Sequence, residues 1–242
     1  MKKIYIVGLG SGAEAQMTAQ AAAALENSDI IVGYDVYIDL IREKFSHKRF
    51  YSTGMRGEVQ RCEKAVEYAL SDMTVSVVSS GDAGVYGMAG LVYELCENKP
   101  EIEIETVAGI TAACSGAAVL GAPLMHDFCV ISLSDLMTPW EKIEKRLELA
   151  AQADFSVCIY NPSSKKRADY LEKACGIMLA HKAPETVCGY VRNIGRDGEE
   201  YKIMTLEELK NEKVDMFTTI FVGNSQTRVI NGKMVTPRGY RL

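Results

Sequence analysis

Ser79-Ser80-Gly81-Asp82-Ala83-Gly84-Val85-Tyr86-Gly87 follows the apolar run Val75-Ser76-Val77-Val78 and leads into a helix-favouring segment, Met88 to Cys96. A carboxylate set between glycines where a strand gives way to a helix is the arrangement of a ligand loop. Free N–H groups at a helix start favour negative charge, and glycine lets a ligand approach the main chain. The same residues would also serve a plain strand-to-helix turn, so the local sequence leaves both readings open. Upstream, Lys3 to Val7 is a short β-rich run that ends in Gly8-Leu9-Gly10-Ser11-Gly12. Downstream, Ile102 to Val107 is a strand that ends in Ala108-Gly109-Ile110-Thr111-Ala112-Ala113. Strands that end in glycine loops and pass into helices make the fold class α/β.

The remaining segments fit that frame. Ala13 to Glu26 is alanine-rich, with Met17, Ala21 and Leu25 at four-residue spacing, which predicts a packed helix. Asp29 to Asp35 reads as the second strand, and 36–70 is polar and helical in tendency. Arg49, Arg56, Arg61 and Lys64 form a loose basic set there, read mainly as solvated surface, with Arg56 in an exposed loop between Gly54 and Gly57. Gly121-Ala122-Pro123 breaks the pattern after a compact helix, which predicts an N-terminal domain of 1–122 and a C-terminal domain of 123–242.

In the second half, Asp127 to Leu133 reads as a strand, and Thr138-Pro139-Trp140-Glu141 as a helix start with Thr138 at the N-cap, Pro139 first in the helix and Glu141 closing a capping box. Trp140 fits equally a pocket wall or a helix anchor. Phe155 to Tyr160 is a strand stopped at Asn161-Pro162, and Ser163-Ser164-Lys165-Lys166-Arg167 is expected to open a helix reaching Leu179. Three basic residues in a first turn oppose the helix dipole, so they suggest a carboxylate site as well as a solvated face. Strands are expected at Thr186–Val191 and Phe217–Val222, a second capping box at Thr205 and Glu208, and a hairpin turn at Asn231-Gly232.

Composition bounds the function. Over 242 residues, 48% hydrophobic and 24% charged residues describe an ordinary globular chain with ample core, and a net charge of −5 argues against a general nucleic-acid surface. The seven cysteines are scattered, odd in number and without a Cys-x-x-Cys pair, as suits reduced thiols. His126 and Cys129, three apart, are too few for a metal site, and none is expected. Lys2 and Lys3 before Ile4–Val7 faintly imitate a signal peptide but read better as a buried first strand, and no apolar run approaches the ~18 residues of a membrane span, so a cytoplasmic protein is expected. The first loop also fits Gly-x-Gly-x-x-Ala, closed by Ala13, which keeps an NAD-dependent oxidoreductase as an alternative, with Asp35 a little late for the ribose acid.

Taken together, Gly8–Gly12, Gly81–Tyr86 and Gly109–Ala112, in this order and spacing, resemble the tetrapyrrole methylases. The resemblance spans nearly the whole chain. It implies two α/β domains, each a mixed sheet flanked by helices, with S-adenosylmethionine in the cleft between them, a small-molecule tetrapyrrole substrate and a homodimer. His126-Asp127-Phe128, Ser132 to Leu136, Thr138-Pro139-Trp140 and Tyr160-Asn161-Pro162 with Ser164, Lys165 and Arg167 resemble the branch that methylates carbon 17 of precorrin-3B or cobalt-factor III with ring contraction. The chain departs from the family's frequent prolines at Ser11 and Ala108, which bears on the shape of those two loops.

By this resemblance the cofactor contacts are Gly10, Gly81, Asp82, Val85, Tyr86, Thr111 and Ala112, joined by Asn161, Asn193, Gly223 and Asn224. The substrate is similar to a flat apolar disc edged with carboxylates, and Arg56, Lys165, Lys166, Arg167, Arg192 and Arg196 are candidate clamps by placement. Methyl transfer asks chiefly for alignment of nucleophile, methyl and sulfur. Ring contraction also needs proton transfers, for which Asp82, His126, Asp127 and Asp135 have suitable chemistry; His126 fits a structural, hydrogen-bonded role as well. A methylase of another precorrin or of uroporphyrinogen shares every cofactor motif, and whether the substrate carries cobalt stays open.

Overall fold

A computed structural model describes residues 2–164 and 167–241. The chain divides into two compact units, Met1–Ala112 and Ala113–Leu242. The division falls ten residues ahead of the break expected at Gly121-Ala122-Pro123. The helix before that break packs with the second unit, where a Cβ on its Gly116 would press to 2.8 Å from Phe221 Cζ.

In the first unit, β1 (Lys3–Gly8), β2 (Ile30–Tyr34), β3 (Arg49–Thr53), β4 (Thr74–Ser79) and β5 (Glu103–Val107) form one sheet in the order β3-β2-β4-β1-β5. All four pairings are parallel, so the expected mixed sheet is not what these strands make. Parallel strands need helical crossovers that cover both faces. Alternate residues of each strand serve the two faces. Ile4, Ile6, Val75 and Val77 pack with α3 (Glu58–Leu70) and α4 (Ala89–Leu95), whereas Val7, Ile31 and Val78 pack with α1 (Ala19–Glu26) and α2 (Asp35–Asp39).

Two local expectations change here. The first helix does not start at Ala13, which is extended; a short 3₁₀ turn, Glu14–Gln16, comes first, and α1 starts where Thr18 accepts the Ala21 N–H at 3.0 Å. Capping thus overrides the helix preference of the preceding residues. The polar stretch 36–70 also contains β3, an edge strand whose mixed burial hides the alternation that marks a strand.

In the second unit, α5 (Ala112–Leu120) is followed by β6 (Gly121–Ala122), β7 (Phe128–Ser132), α6 (Trp140–Gln152), β8 (Ser156–Tyr160) and α7 (Tyr170–Leu179). β9 (Val187–Arg192), β10 (Glu200–Thr205), α8 (Leu206–Leu209), β11 (Thr218–Val222), β12 (Arg228–Ile230) and β13 (Lys233–Val235) complete it. Its main sheet, β10-β9-β11-β8-β7, is mixed: β7 and β8 run parallel and the other pairings are antiparallel. Ile143 and Leu147 of α6, Leu171 and Met178 of α7, and Leu206 and Leu209 of α8 cover one face. Each such fully buried side chain contributes about 1.5–3 kcal/mol.

The Thr205–Glu208 capping box forms as expected, and Asn231 and Gly232 take φ of 51° and 73° in the turn between the antiparallel β12 and β13. The box at Thr138 does not form. Pro139 itself sits at the N-cap with ψ 143°, and the helix begins at Trp140. Helix α7 starts at Tyr170, so Arg167 lies in the loop before it and not in a first turn. Lys165 and Lys166 lie outside the described residues. Trp140 serves as an anchor, its ring 4.4 Å from that of Tyr170 and packed on the core.

Candidate active site

The loops that leave β1, β4 and β5 meet at the carboxyl edge of the first sheet. Gly10 and Gly81, both at positive φ, exchange N–H···O bonds of 3.0 and 2.7 Å, and the Leu9 N–H donates to Ser79 O. A Cβ on Gly8 would lie 2.6 Å from Gly109 N and 2.7 Å from Gly81 O, and one on Gly109 would overlap Gly81 O. The three main chains pass each other at a spacing that only glycine permits. Asp82 fastens them: Oδ1 accepts the Gly84 N–H at 2.8 Å and Oδ2 the Gly109 N–H at 3.0 Å. Thr18 Oγ1 adds a bond to the Ala108 carbonyl at 3.3 Å, which ties the start of α1 to the loop after β5.

This edge is also where the topology reverses. β1 and β4 are neighbours, yet β1 leads to α1 on one face and β4 to α4 on the other. Such a point leaves a crevice outside the strand ends, where ligands of open parallel sheets bind. Val85 and Tyr86 stand on the β4–α4 loop, Tyr86 exposed and at φ 55°, and Thr111 and Ala112 follow Gly109.

The second unit carries its own polar cluster. Asn161, at φ 52° just past β8, donates to Ser132 Oγ at 2.9 Å, and Tyr160 Oη accepts the Ala113 N–H at 2.6 Å. Asp135 accepts from Tyr170 Oη at 2.6 Å and from Arg167 Nη1 at 3.4 Å, while the same Arg167 nitrogen reaches Ser134 Oγ at 2.8 Å. The Tyr170 hydrogen bond holds the Asp135 carboxyl below the usual range, so it stays ionised. Asn193, at φ 51°, accepts through its carbonyl from Arg196 and donates to Phe217 O and Gly198 O. Asn224 is buried, its Oδ1 accepting from the Gln226 N–H and from Thr227 Oγ1. Gly223 admits Thr227 closely, since a Cβ there would lie 2.5 Å from Thr227 Cβ. His126 is half-exposed, with Nδ1 3.9 Å from Asp127 Oδ2.

Of the candidate clamps, Arg192 is bound to Asp215 at 2.9 Å and Glu200 at 3.2 Å, and Arg167 is bound as above. Arg56 is exposed, at φ 68°, and meets no carboxylate among the described residues. Two residues hold structural roles for which the sequence carried no local signal: Tyr170, the partner of Asp135, and Arg61, which turns out to be buried rather than solvated.

The dinucleotide alternative does not survive the geometry. A pyrophosphate fingerprint needs its glycines at the N-terminus of a helix. Here they run into the 3₁₀ turn with Glu14 in it, and α1 begins only at Ala19.

The profile of the tetrapyrrole (corrin/porphyrin) methylases matches residues 3–210. The chain belongs to the tetrapyrrole methylases. It is 46% identical over 240 residues to a protein of Salmonella typhimurium named probable cobalt-factor III C(17)-methyltransferase, covering 99% of this chain and 100% of that one. It is 36% identical over 246 residues to a precorrin-3B C(17)-methyltransferase of a Sinorhizobium species, covering 98% and 96%. The crystal structure of the methyltransferase CobJ matches with a TM-score of 0.89 at 37% identity, over 97% of this chain and 99% of that one. For a tetrapyrrole methylase the loop chemistry is apt. Across 8–13, 79–90 and 107–113 the single charged residue is Asp82, an anion, so these loops suit a cationic sulfonium ligand better than a pyrophosphate.

Proposed function

We propose that this chain is an S-adenosylmethionine-dependent C-methyltransferase of cobalamin biosynthesis that methylates carbon 17 of cobalt-factor III as the macrocycle contracts. The observation that carries this reading is the near-full-length 46% identity to the cobalt-factor III relative, against 36% to the precorrin-3B relative. The metal-free substrate is the second reading. The cofactor, when bound, supplies a methyl group on a positively charged sulfur.

The chain's own residues do the rest. Gly10, Gly81, Val85, Tyr86, Thr111 and Ala112 hold the cofactor through backbone and small side chains, and Asp82 keeps those loops in one geometry. Asn161, Asn193, Gly223 and Asn224 extend the cofactor set in the second unit. Alignment is the main demand of an in-line displacement, and a braced loop cluster meets it. Arg56, Arg196 and the Lys165-Lys166-Arg167 run answer the substrate's carboxylates, with Arg192 contributing what its two carboxylate partners leave. For the proton transfers of contraction, Asp135 is committed as an anion to Tyr170 and Asp82 to two backbone donors, which leaves His126 with Asp127 to exchange protons. The protein works as a cytoplasmic homodimer.

The test is incubation with [methyl-¹³C]-S-adenosylmethionine and either cobalt-factor III or precorrin-3B, followed by carbon NMR of the product. Label at carbon 17 of the cobalt-bearing product supports the reading. Label only in the metal-free product selects the second reading, and label at another carbon overturns both.

A further inference from the structure

The loop between β3 and α3 stands at the same carboxyl edge as the glycine loops. Its turn is closed by the Gly57 N–H donating to Gly54 O at 3.3 Å, with Arg56 third in the turn at φ 68°. A turn with positive φ at that place prefers glycine or asparagine, and an arginine there is held against a backbone cost of about 1 kcal/mol. What holds it is visible underneath. Arg61, only 4% exposed, sends Nη1 to Thr53 Oγ1 at 2.6 Å and to Gly54 O at 3.3 Å, and Nη2 to Glu58 at 3.4 Å. Its guanidinium lies 5.8 Å from the Tyr34 ring, and its Nε has no hydrogen-bond partner among the described residues. Gly57 completes the seat, since a Cβ there would overlap Thr53 Oγ1.

A buried cation is expensive, and one carboxylate at 3.4 Å on the rim compensates it poorly. A buried guanidinium that grips one turn carbonyl at this cost therefore points to a requirement on the turn. The turn's product is a single exposed cation, Arg56, without a carboxylate partner among the described residues, beside the exposed Met55 and Val59. An apolar rim with one free guanidinium matches the edge of an apolar macrocycle that bears carboxylates. We propose that Arg56 is the residue that meets a peripheral carboxylate of the tetrapyrrole, and that Arg61 is its positioning residue, acting through the Gly54–Gly57 turn. This rests on the function proposed above.

The experiment uses Arg56→Gly, which accepts the positive φ, Arg61→Lys, which keeps the charge but loses the fork, and their double variant. KM and kcat are measured with cobalt-factor III, and S-adenosylhomocysteine affinity by calorimetry. Each single variant is expected to raise KM about tenfold, ~1.4 kcal/mol, with a much smaller change in kcat and no change in S-adenosylhomocysteine affinity. The double variant is expected to be no worse than Arg56→Gly alone. Losses that add in the double variant, an unchanged KM for Arg56→Gly, or a parallel fall in cofactor affinity would each overturn the proposal. Should Arg61→Lys fail to fold, Thr53→Val removes one Arg61 contact and is held to the same comparison. A parent enzyme that neither binds nor turns over cobalt-factor III would instead overturn the functional reading itself.

Discussion

Asp82 Oδ2 accepts the Gly109 N–H at 3.0 Å across 27 residues of sequence, while Oδ1 accepts Gly84 N–H in its own loop. One carboxylate thus ties the loop after β4 to the loop after β5. Asp82→Asn keeps one carbonyl oxygen as an acceptor, and Asp82→Ala keeps none. S-adenosylhomocysteine affinity should therefore fall modestly in the first and by tenfold or more, above ~1.4 kcal/mol, in the second. Calorimetric titration of both variants, with NAD as a control ligand, measures it. Equal affinity in parent and Asp82→Ala would remove Asp82 from the cofactor site.

Where the loops cross, added volume should be as damaging as a lost bond. A Cβ on Gly109 overlaps Gly81 O and comes within 2.6 Å of Gly8 C, both backbone atoms with little room to shift. Gly109→Ala is expected to lower stability by about 1–3 kcal/mol, as overpacking does, and to abolish S-adenosylhomocysteine binding. Gly90→Ala is the matched control, because a Cβ there meets nothing within 4 Å and adds helix propensity in α4. Urea midpoints for the two variants should move in opposite directions; the same direction would mean that crowding at Gly109 is relieved elsewhere.

Local chemistry explains what the sequence made legible. The Thr205–Glu208 box and the Asn231-Gly232 turn are set by neighbours within a few residues and form where the sequence put them. The glycine loops were legible by composition at each strand end, while their mutual crossing joins residues as far apart as Gly10 and Gly81. β3 and β10 were not legible, because both are edge strands with exposed residues and no clean alternation. Thr138 fails as a cap because Pro139 is extended and occupies the N-cap itself. Arg61 and Tyr170 were illegible for another reason. Arginine among charged neighbours reads as surface, and only the folded chain brings Arg61 under Thr53 and Tyr170 against Asp135.

The Asp135–Tyr170 pair should leave a mark in acid. The Tyr170 hydroxyl, ahead of Arg167, stabilises the ionised carboxyl and lowers its folded-state pKa. A depressed carboxylate contributes stability that is present above the unfolded pKa of about 3.9 and is lost as pH falls through the lower folded value. Tyr170→Phe should thus be less stable than the parent at neutral pH, with the gap closing below about pH 4. Urea midpoints from pH 2 to 7 test this. A gap that stays constant down to pH 2 would mean that the Tyr170 hydroxyl contributes independently of the Asp135 charge.

Lys182 and Asp154 offer a sharper asymmetry. The Lys182 side chain is 3% exposed and its Nζ lies 3.3 Å from Asp154 Oδ1, whereas the Asp154 side chain is 45% exposed. Burial pushes the Asp154 carboxyl up, but the Ser225 hydroxyl at 2.6 Å and N–H at 2.9 Å, together with Lys182, outweigh it and leave it lowered. Removing the acid strands a buried ammonium, whereas removing the lysine leaves a carboxylate that keeps its Ser225 donors and reaches water. Asp154→Gly, chosen because Asp154 sits at φ 58°, should therefore cost ~2 kcal/mol or more, and Lys182→Met well under ~1 kcal/mol. The double variant should recover most of the loss. Because Ser225 adjoins Asn224, Asp154→Gly should also weaken S-adenosylhomocysteine binding while Lys182→Met leaves it alone. Equal costs for the two single variants, with no recovery in the double, would show that the ion pair does not govern this corner of the second unit.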